Sequence, residues 1–262
     1  MTADLNKKTF FLISGASRGI GKTFAIECAK KFKPGSVIVL IARSLSGLET
    51  TKSEIESKTQ GLTILVYSVD LSVYDAKSYS ELLKKSLKES STEPNDFEMA
   101  FIVHNAGTIG DVSTKAKGLN DVKKWDIYFR TNVSSVIALN CEFMRVFDGQ
   151  KKLIVNVTSK AAVVPFASFT EYCAGKAARL MYFKVLAEEE KDTLILNYSP
   201  GPVETDMTVD VQKNSHDSGT RGMFESLRAE KTILTTEQTT AKFLDVLERN
   251  EFKSGDQVDY YD

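Results

Sequence analysis

Apolar residues along the chain come in short unbroken runs, separated by longer stretches with helical period. The first run, Phe-Phe-Leu-Ile at 10–13, ends at Ser14-Gly15-Ala16-Ser17-Arg18-Gly19-Ile20-Gly21. Ile20, Phe24 and Cys28 then recur every fourth residue, with Ala25 and Ala29 beside them, until Lys33-Pro34-Gly35 stops the pattern. That order predicts strand, glycine turn and helix. A second strand is predicted at 37–42, apolar throughout as a sheet covered on both faces requires. The pattern continues with a polar helix at about 45–58, a strand at 62–69 and a helix at 75–90. A loop at 90–95 leads to the fourth strand at 99–103. Beyond a glycine-bearing loop at 107–118, residues at about 122–147 read as one long helical stretch. A fifth strand at 153–157 precedes the segment 160–180, which reads as helix to about residue 190. The sixth strand, 194–198, is broken by Pro200-Gly201-Pro202. Residues 207–231 are polar and poorly patterned, loosest at 215–222, and are expected to form a mobile excursion over a site or on the surface. A last helix at 236–250 precedes a short tail, 257–261.

Strands alternating with helices predict the α/β class: one doubly wound Rossmann-type domain over 1–262, with a central, mostly parallel sheet flanked by helices. A chain of 262 residues buries a single core of that kind, and no repeat, low-complexity tract or linker divides it.

Charge changes this picture little. The formal net charge is −1, and the 26% of charged residues mix both signs, which argues against a dedicated nucleic-acid surface. No apolar run approaches the roughly 20 residues that a membrane span needs. The polar stretch 1–8 has no signal-peptide pattern. Cys28, Cys141 and Cys173 fit neither a disulfide framework nor a metal-ligand spacing, so a reducing, cytoplasmic compartment and no metal are expected. His104 and His216 are the only histidines, which leaves histidine catalysis few candidates.

The chemistry lies in two places. Gly15, Gly19 and Gly21 fall between the first strand and its helix, where glycines permit a tight turn and backbone amides can face a pyrophosphate at the helix N-terminus. Their G-x-x-x-G-x-G spacing departs from the commonest dinucleotide fingerprint. The same residues also spell the G-x-S-x-G of a hydrolase elbow around Ser17. That alternative needs a downstream acid and histidine, and it leaves Gly21 idle. The second strand ends at Ala42-Arg43 with no acid, so Arg43 and Arg18 are expected to fork onto a 2′-phosphate, favouring NADPH/NADP+. The second place is the segment after the fifth strand. Tyr172 and Lys176 are four apart on one helix face, and a lysine ammonium there would lower the phenol's pKa. Ser159, just past the strand, can bring a hydroxyl to the same place.

In these residues the chain resembles the classical short-chain dehydrogenase/reductase family over nearly its whole length. Residues 14–21 resemble its cofactor loop and Asp70-Leu71 its adenine-side pair. His104-Asn105-Ala106-Gly107 resembles its Asn-Asn-Ala-Gly motif, departing at the first position. The resemblance implies a catalytic set of Asn132, Ser159, Tyr172 and Lys176. It also implies cofactor contacts from Gly15, Ser17, Arg18, Gly19, Ile20, Gly21, Arg43, Asn105 to Gly107 and the Pro200, Gly201, Val203, Thr205 loop. By the same analogy Lys176 holds the nicotinamide ribose, and Asn132 supports a water linking Lys176 to solvent. Residues 172–179, 197–207 and 252–262 look like those of the family's pterin reductases. That implies a pterin substrate reduced at a side-chain ketone, contacted by Ser159, Tyr172 and Met207 and anchored by Asp259. A homodimer formed by the helices at 122–147 and 170–190 is implied too. The alternatives that remain are a reductase of broad dicarbonyl specificity and, more remotely, a serine hydrolase or a non-enzymatic NADP-binding sensor.

Overall fold

A computed structural model describes residues 3–262, so Met1 and Thr2, at the head of the polar stretch 1–8, lie outside the described residues. The elements in chain order are β1 (Thr9–Ser14), α1 (Gly19–Ala29), β2 (Val37–Ala42), α2 (Leu45–Lys58), β3 (Thr63–Ser68), α3 (Ala76–Glu89) and β4 (Met99–His104). They continue with α4 (Val122–Phe129), α5 (Ser135–Val146), β5 (Lys152–Val157), α6 (Thr170–Glu189) and β6 (Thr193–Ser199). The last are α7 (Asp206–Asn214), α8 (Ser218–Ala229), α9 (Thr236–Arg249) and β7 (Gln257–Asp259). The strands form one sheet in the order β3-β2-β1-β4-β5-β6-β7, and every pair is parallel. The expected doubly wound Rossmann-type domain is therefore present, with the sheet parallel throughout.

Each strand sends alternate side chains to two separate cores, as the strand period dictates. From β1, Phe11 and Ile13 enter one layer with α1 and α9, where Phe24 stacks on Phe243 at 4.3 Å. Phe10 and Leu12 enter the other, among Phe143, Phe147 and Phe183 of the α5–α6 side. A sheet sealed on both faces leaves only its strand ends open. The strand order reverses between β1 and β4, and at such a switch point the helices diverge and leave a crevice beyond the carboxyl ends.

Four expectations need correction. Residues 207–231 are not a loose excursion: they fold as α7 and α8, whose Val211 and Phe224 close a third apolar cluster with Ile109, Val112 and Phe169. His216, between them, donates its backbone N–H to Val112 O at 2.8 Å. The tail is a seventh strand, β7, because Asn197, Tyr198 and Ser199 pair with Gln257, Val258 and Asp259. The segment after β5 is not helical from Lys160: one 3-10 turn, Lys160–Ala162, is capped by Ser159, and α6 begins only at Thr170. The stretch 122–147 is helical but interrupted by a π turn, Arg130–Ser134.

Candidate functional site

A cleft of about 1280 Å³ opens at the switch point, between the glycine turn after β1 and the start of α7. Its floor is built by close backbone approach. Gly15 has φ +72° and its N–H is bonded to Ile41 O at 2.8 Å. A Cβ on Gly21 would lie 2.3 Å from Gly15 O and 2.4 Å from Asn105 Nδ2, so only glycine lets α1 start against the turn. Asn105 locks the two loops together, donating to Ser14 O and Gly15 O, while Ala106 N–H bonds the Ser14 hydroxyl.

Among the residues expected to hold a cofactor, Gly15, Ser17, Arg18, Gly19 and Ile20 line one end of this cleft. Arg43, Asp70 and Leu71 form its adenine-side rim, and Asn105, Ala106 and Gly107 its middle. Pro200 and Thr205 line the far wall with Met207. Gly21, Gly201 and Val203 stand behind the lining; Val203 O accepts the Thr208 hydroxyl at 3.1 Å and so helps cap α7. Two Ser72 hydrogen bonds hold the Asp70 carboxyl below its usual range, with a smaller contribution from Arg43. Arg18 makes an exposed ion pair with Asp206, bridging the glycine turn to α7. The Thr158 hydroxyl is buried in the same cleft with no partner among the described residues. A glycine cradle, an orphan hydroxyl and the Arg43 cation on the rim together fit an extended dinucleotide.

Tyr172 and Lys176 project from α6 into the middle of the cleft. The Lys176 ammonium sits 5.4 Å from the Tyr172 ring centroid and donates to Val157 O at 2.7 Å. Burial raises the Tyr172 phenol; the Ser159 hydroxyl, then the Arg179 guanidinium, oppose that rise. Lys176 is itself depressed well below the usual lysine range by burial and by Arg179. Lys176 stands beside the ring, while the lowering of the phenol comes from Ser159 and then from Arg179. Asn132 lies in the π turn, a distortion that often marks functional sites. Its Oδ1 accepts Thr108 N–H at 2.7 Å, and its Nδ2 donates to Tyr128 O and the Thr108 hydroxyl.

Asp259 does not line the cleft. Its carboxylate accepts the Ser199 hydroxyl at 2.6 Å and Tyr261 N–H at 3.2 Å, one residue before the cleft-lining Pro200. His104 is a packed residue on β4, bonded to Asn140 Oδ1 and held down to about 3, chiefly by burial. With His104 buried and His216 on the α7–α8 turn, Ser17 has no histidine base, and the hydrolase alternative fails.

Three residues went unnoticed in the sequence. Tyr128 of α4 lines the cleft and packs on Gly175, where a Cβ would meet its hydroxyl at 2.9 Å. Glu171 is buried beside it and accepts Asp111 N–H at 2.6 Å. Arg179 is wholly buried behind Lys176. Its position three residues beyond Lys176 and seven beyond Tyr172 is the signal that marks it, since all three share a helix face.

Comparison with known proteins gives this geometry its family. The model of the short chain dehydrogenase family matches residues 9–216. Sepiapterin reductase of Xenopus tropicalis is 35% identical over 96% of this chain and 95% of its own, and that of Mus musculus is 32% identical over 96% of both. A short chain dehydrogenase/reductase of Saccharomyces cerevisiae has the same fold, with a TM-score of 0.81, 22% identity and coverage of 97% and 96% of the two chains. The cleft, the glycine cradle and the paired Tyr172 and Lys176 thus sit in a chain that belongs to the short-chain dehydrogenase/reductase family of oxidoreductases.

Proposed function

We propose that this protein reduces the side-chain ketone of a pterin with NADPH, with Tyr172 as proton donor. The observation that carries the reading is the pairing of Tyr172 and Lys176 on the cleft wall, with the Ser159 hydroxyl on the Tyr172 phenol, in a chain aligned over 96% of its length with sepiapterin reductase. A dinucleotide held at its pyrophosphate by the glycine cradle would supply the two electrons of the reduction as a hydride from its dihydronicotinamide. The protein's residues do the rest. The Ser159 hydroxyl hydrogen-bonds the ketone oxygen and polarises it, and the Tyr172 hydroxyl passes its proton to that oxygen as charge builds there. Lys176 holds the nicotinamide ribose. Asn132 has spent both amide hydrogens on protein acceptors, so a water relay through its side chain falls to the second lone pair of Oδ1, beside its main-chain carbonyl.

NADPH is preferred over NADH because Arg43 offers a guanidinium on the adenine-side rim with no acid closing the second strand, and Arg18 joins it on exchanging its ion pair with Asp206 for the 2′-phosphate. On this reading Asp259 exchanges its bonds to the Ser199 hydroxyl and Tyr261 N–H for the pterin's amino-pyrimidine edge, and Met207 contacts the substrate from the cleft wall. Helices α5 and α6 pair with those of a second copy. The position of Asp259 outside the cleft lining, with both carboxylate oxygens engaged, favours the second reading, a broader dicarbonyl reductase. A benzil reductase of Bacillus subtilis is 24% identical over 78% of this chain.

NADPH oxidation with sepiapterin, set beside a simple diketone, separates the two. The pterin reading expects sepiapterin to have the higher kcat/KM, and Asp259→Asn to lose activity on it while sparing the diketone. Equal losses on both substrates make Asp259 structural, and a diketone preference gives the second reading. Turnover of NADH equal to that of NADPH removes the role assigned to Arg18 and Arg43.

A further inference from the structure

Arg179 heads the bulky side chains that are sealed from solvent, and it is a charged one. Its Nε donates to Asn156 Oδ1 at 2.9 Å, its Nη1 to Ala106 O at 3.1 Å and its Nη2 to His104 O at 2.6 Å. All three acceptors are neutral, and among the described residues no carboxylate pairs with it. Burying a guanidinium without a counter-anion costs free energy, so its retention calls for a local return. The network also extends outward. Asn156 Nδ2 donates to Asn197 Oδ1 at 2.8 Å, and Asn197 Nδ2 donates to Gly255 O at 3.0 Å, just before β7.

Resting on the reductase reading above, we infer that Arg179 is a positioning residue for the proton transfer: it fixes α6 to the His104–Gly107 loop and supplies a standing positive field to the Tyr172 phenol. Geometry and charge both support this. Tyr172, Lys176 and Arg179 lie on one face of α6, and Arg179 bonds Ala106 O in the loop lining the middle of the cleft and His104 O at the end of the strand that feeds it. Burial brings Arg179 down only to about 10, so it stays protonated at neutral pH, whereas Lys176 is depressed partly by Arg179 itself. The other titratable groups that face this pair are Tyr128 from α4, His104 from β4 and Cys173 on α6, with Glu171 acting on Tyr128. Lys176, 5.4 Å from the Tyr172 ring, is the other basic group beside the phenol, and Arg179 is the one whose charge lowers it.

Ultraviolet difference titration, each protein minus its Tyr172→Phe counterpart, reads the Tyr172 phenol without needing turnover. Arg179→Gln removes the charge and is expected to move this titration up by about one pH unit, a tenfold lower phenolate fraction at a given pH below it. Arg179→Lys keeps the charge and is expected to restore the titration, while losing fork contacts to the loop and weakening NADPH binding. If the Gln variant does not fold, Asn156→Asp keeps the guanidinium but sets a carboxylate against it, and the same upward movement is expected. A titration unmoved in whichever of these variants folds overturns the inference, as does a folded Lys variant that behaves like Gln. The alkaline limb of ketone reduction should follow the titration. A wild-type protein that reduces no ketone sinks the reductase reading instead, and leaves the titration to judge Arg179.

Discussion

At the scale of single residues, spacing revealed partners but not their electrostatic states. Tyr172 and Lys176 were legible because a four-residue separation places side chains on one helix face. The depression of Lys176 was not, because its largest cause is burial against β5, which the helix period does not place, with the Arg179 charge adding to it. Tyr172→Phe is expected to lower turnover by roughly 10²–10⁴ while NADPH still quenches or shifts protein fluorescence as in wild type. Near-normal turnover would remove Tyr172 as the acid. Gly21 offers a sharper structural case. The added methyl of Gly21→Ala meets backbone, Gly15 O, rather than a flexible side chain, so the turn must open. Overpacking of this kind costs about 1–3 kcal/mol. The expected result is a lower Tm and loss of NADPH binding by calorimetry; unchanged affinity would show that the cradle tolerates a wider turn.

At the scale of elements, long helices and fully apolar strands were readable, and short or heavily capped ones were not. Strand β2 and helix α2 were expected at the residues where they occur, since each has a full-length pattern between clear breakers. Helices α7 and α8 escaped because each buries few side chains: Val211 in the first, Thr220 and Phe224 in the second. Their order comes from polar ends. A Thr205–Thr208 capping box starts α7, Asp217 caps α8 through Thr220 N–H at 2.7 Å, and Arg228 ties both to Glu204 with bonds of 2.8 and 3.0 Å. The guanidinium also lies 5.9 Å from the Phe224 ring centroid. Arg228→Met should therefore loosen the pair without reaching the glycine cradle. Because the ion pair is partly exposed, a stability loss on the order of 1 kcal/mol is expected. Proteolysis within 206–229 should quicken and the KM for the ketone rise, with NADPH affinity unchanged. A protease pattern identical to wild type would mean that apolar packing alone holds α7 and α8.

At the scale of the whole molecule, strand order and the seventh strand depended on contacts between distant segments, which local pattern does not encode. Alternation implied a parallel sheet, but the three residues of β7 are too few to show a period, and only pairing with β6 makes them a strand. The outer face of α5 and α6 raises the last question at this scale. Met181 is 60% and Val185 47% exposed, one helical turn apart on α6, and Cys141 of α5 is exposed beside the Tyr182 hydroxyl, 3.6 Å from its sulfur. Two large apolar side chains in line on a helix that already packs its other side on the core fit burial against a second copy. A two-fold pairing there places each patch on its own image, so one substitution acts twice. Replacing Met181 and Val185 together by Lys puts four unpaired charges into such an interface and should weaken it at least about a hundredfold. Sedimentation velocity is expected to give a dimer for the wild type and a monomer for Met181→Lys/Val185→Lys, with Tm little changed. A wild-type monomer, or a double variant that still sediments as a dimer, would place any partner on another face.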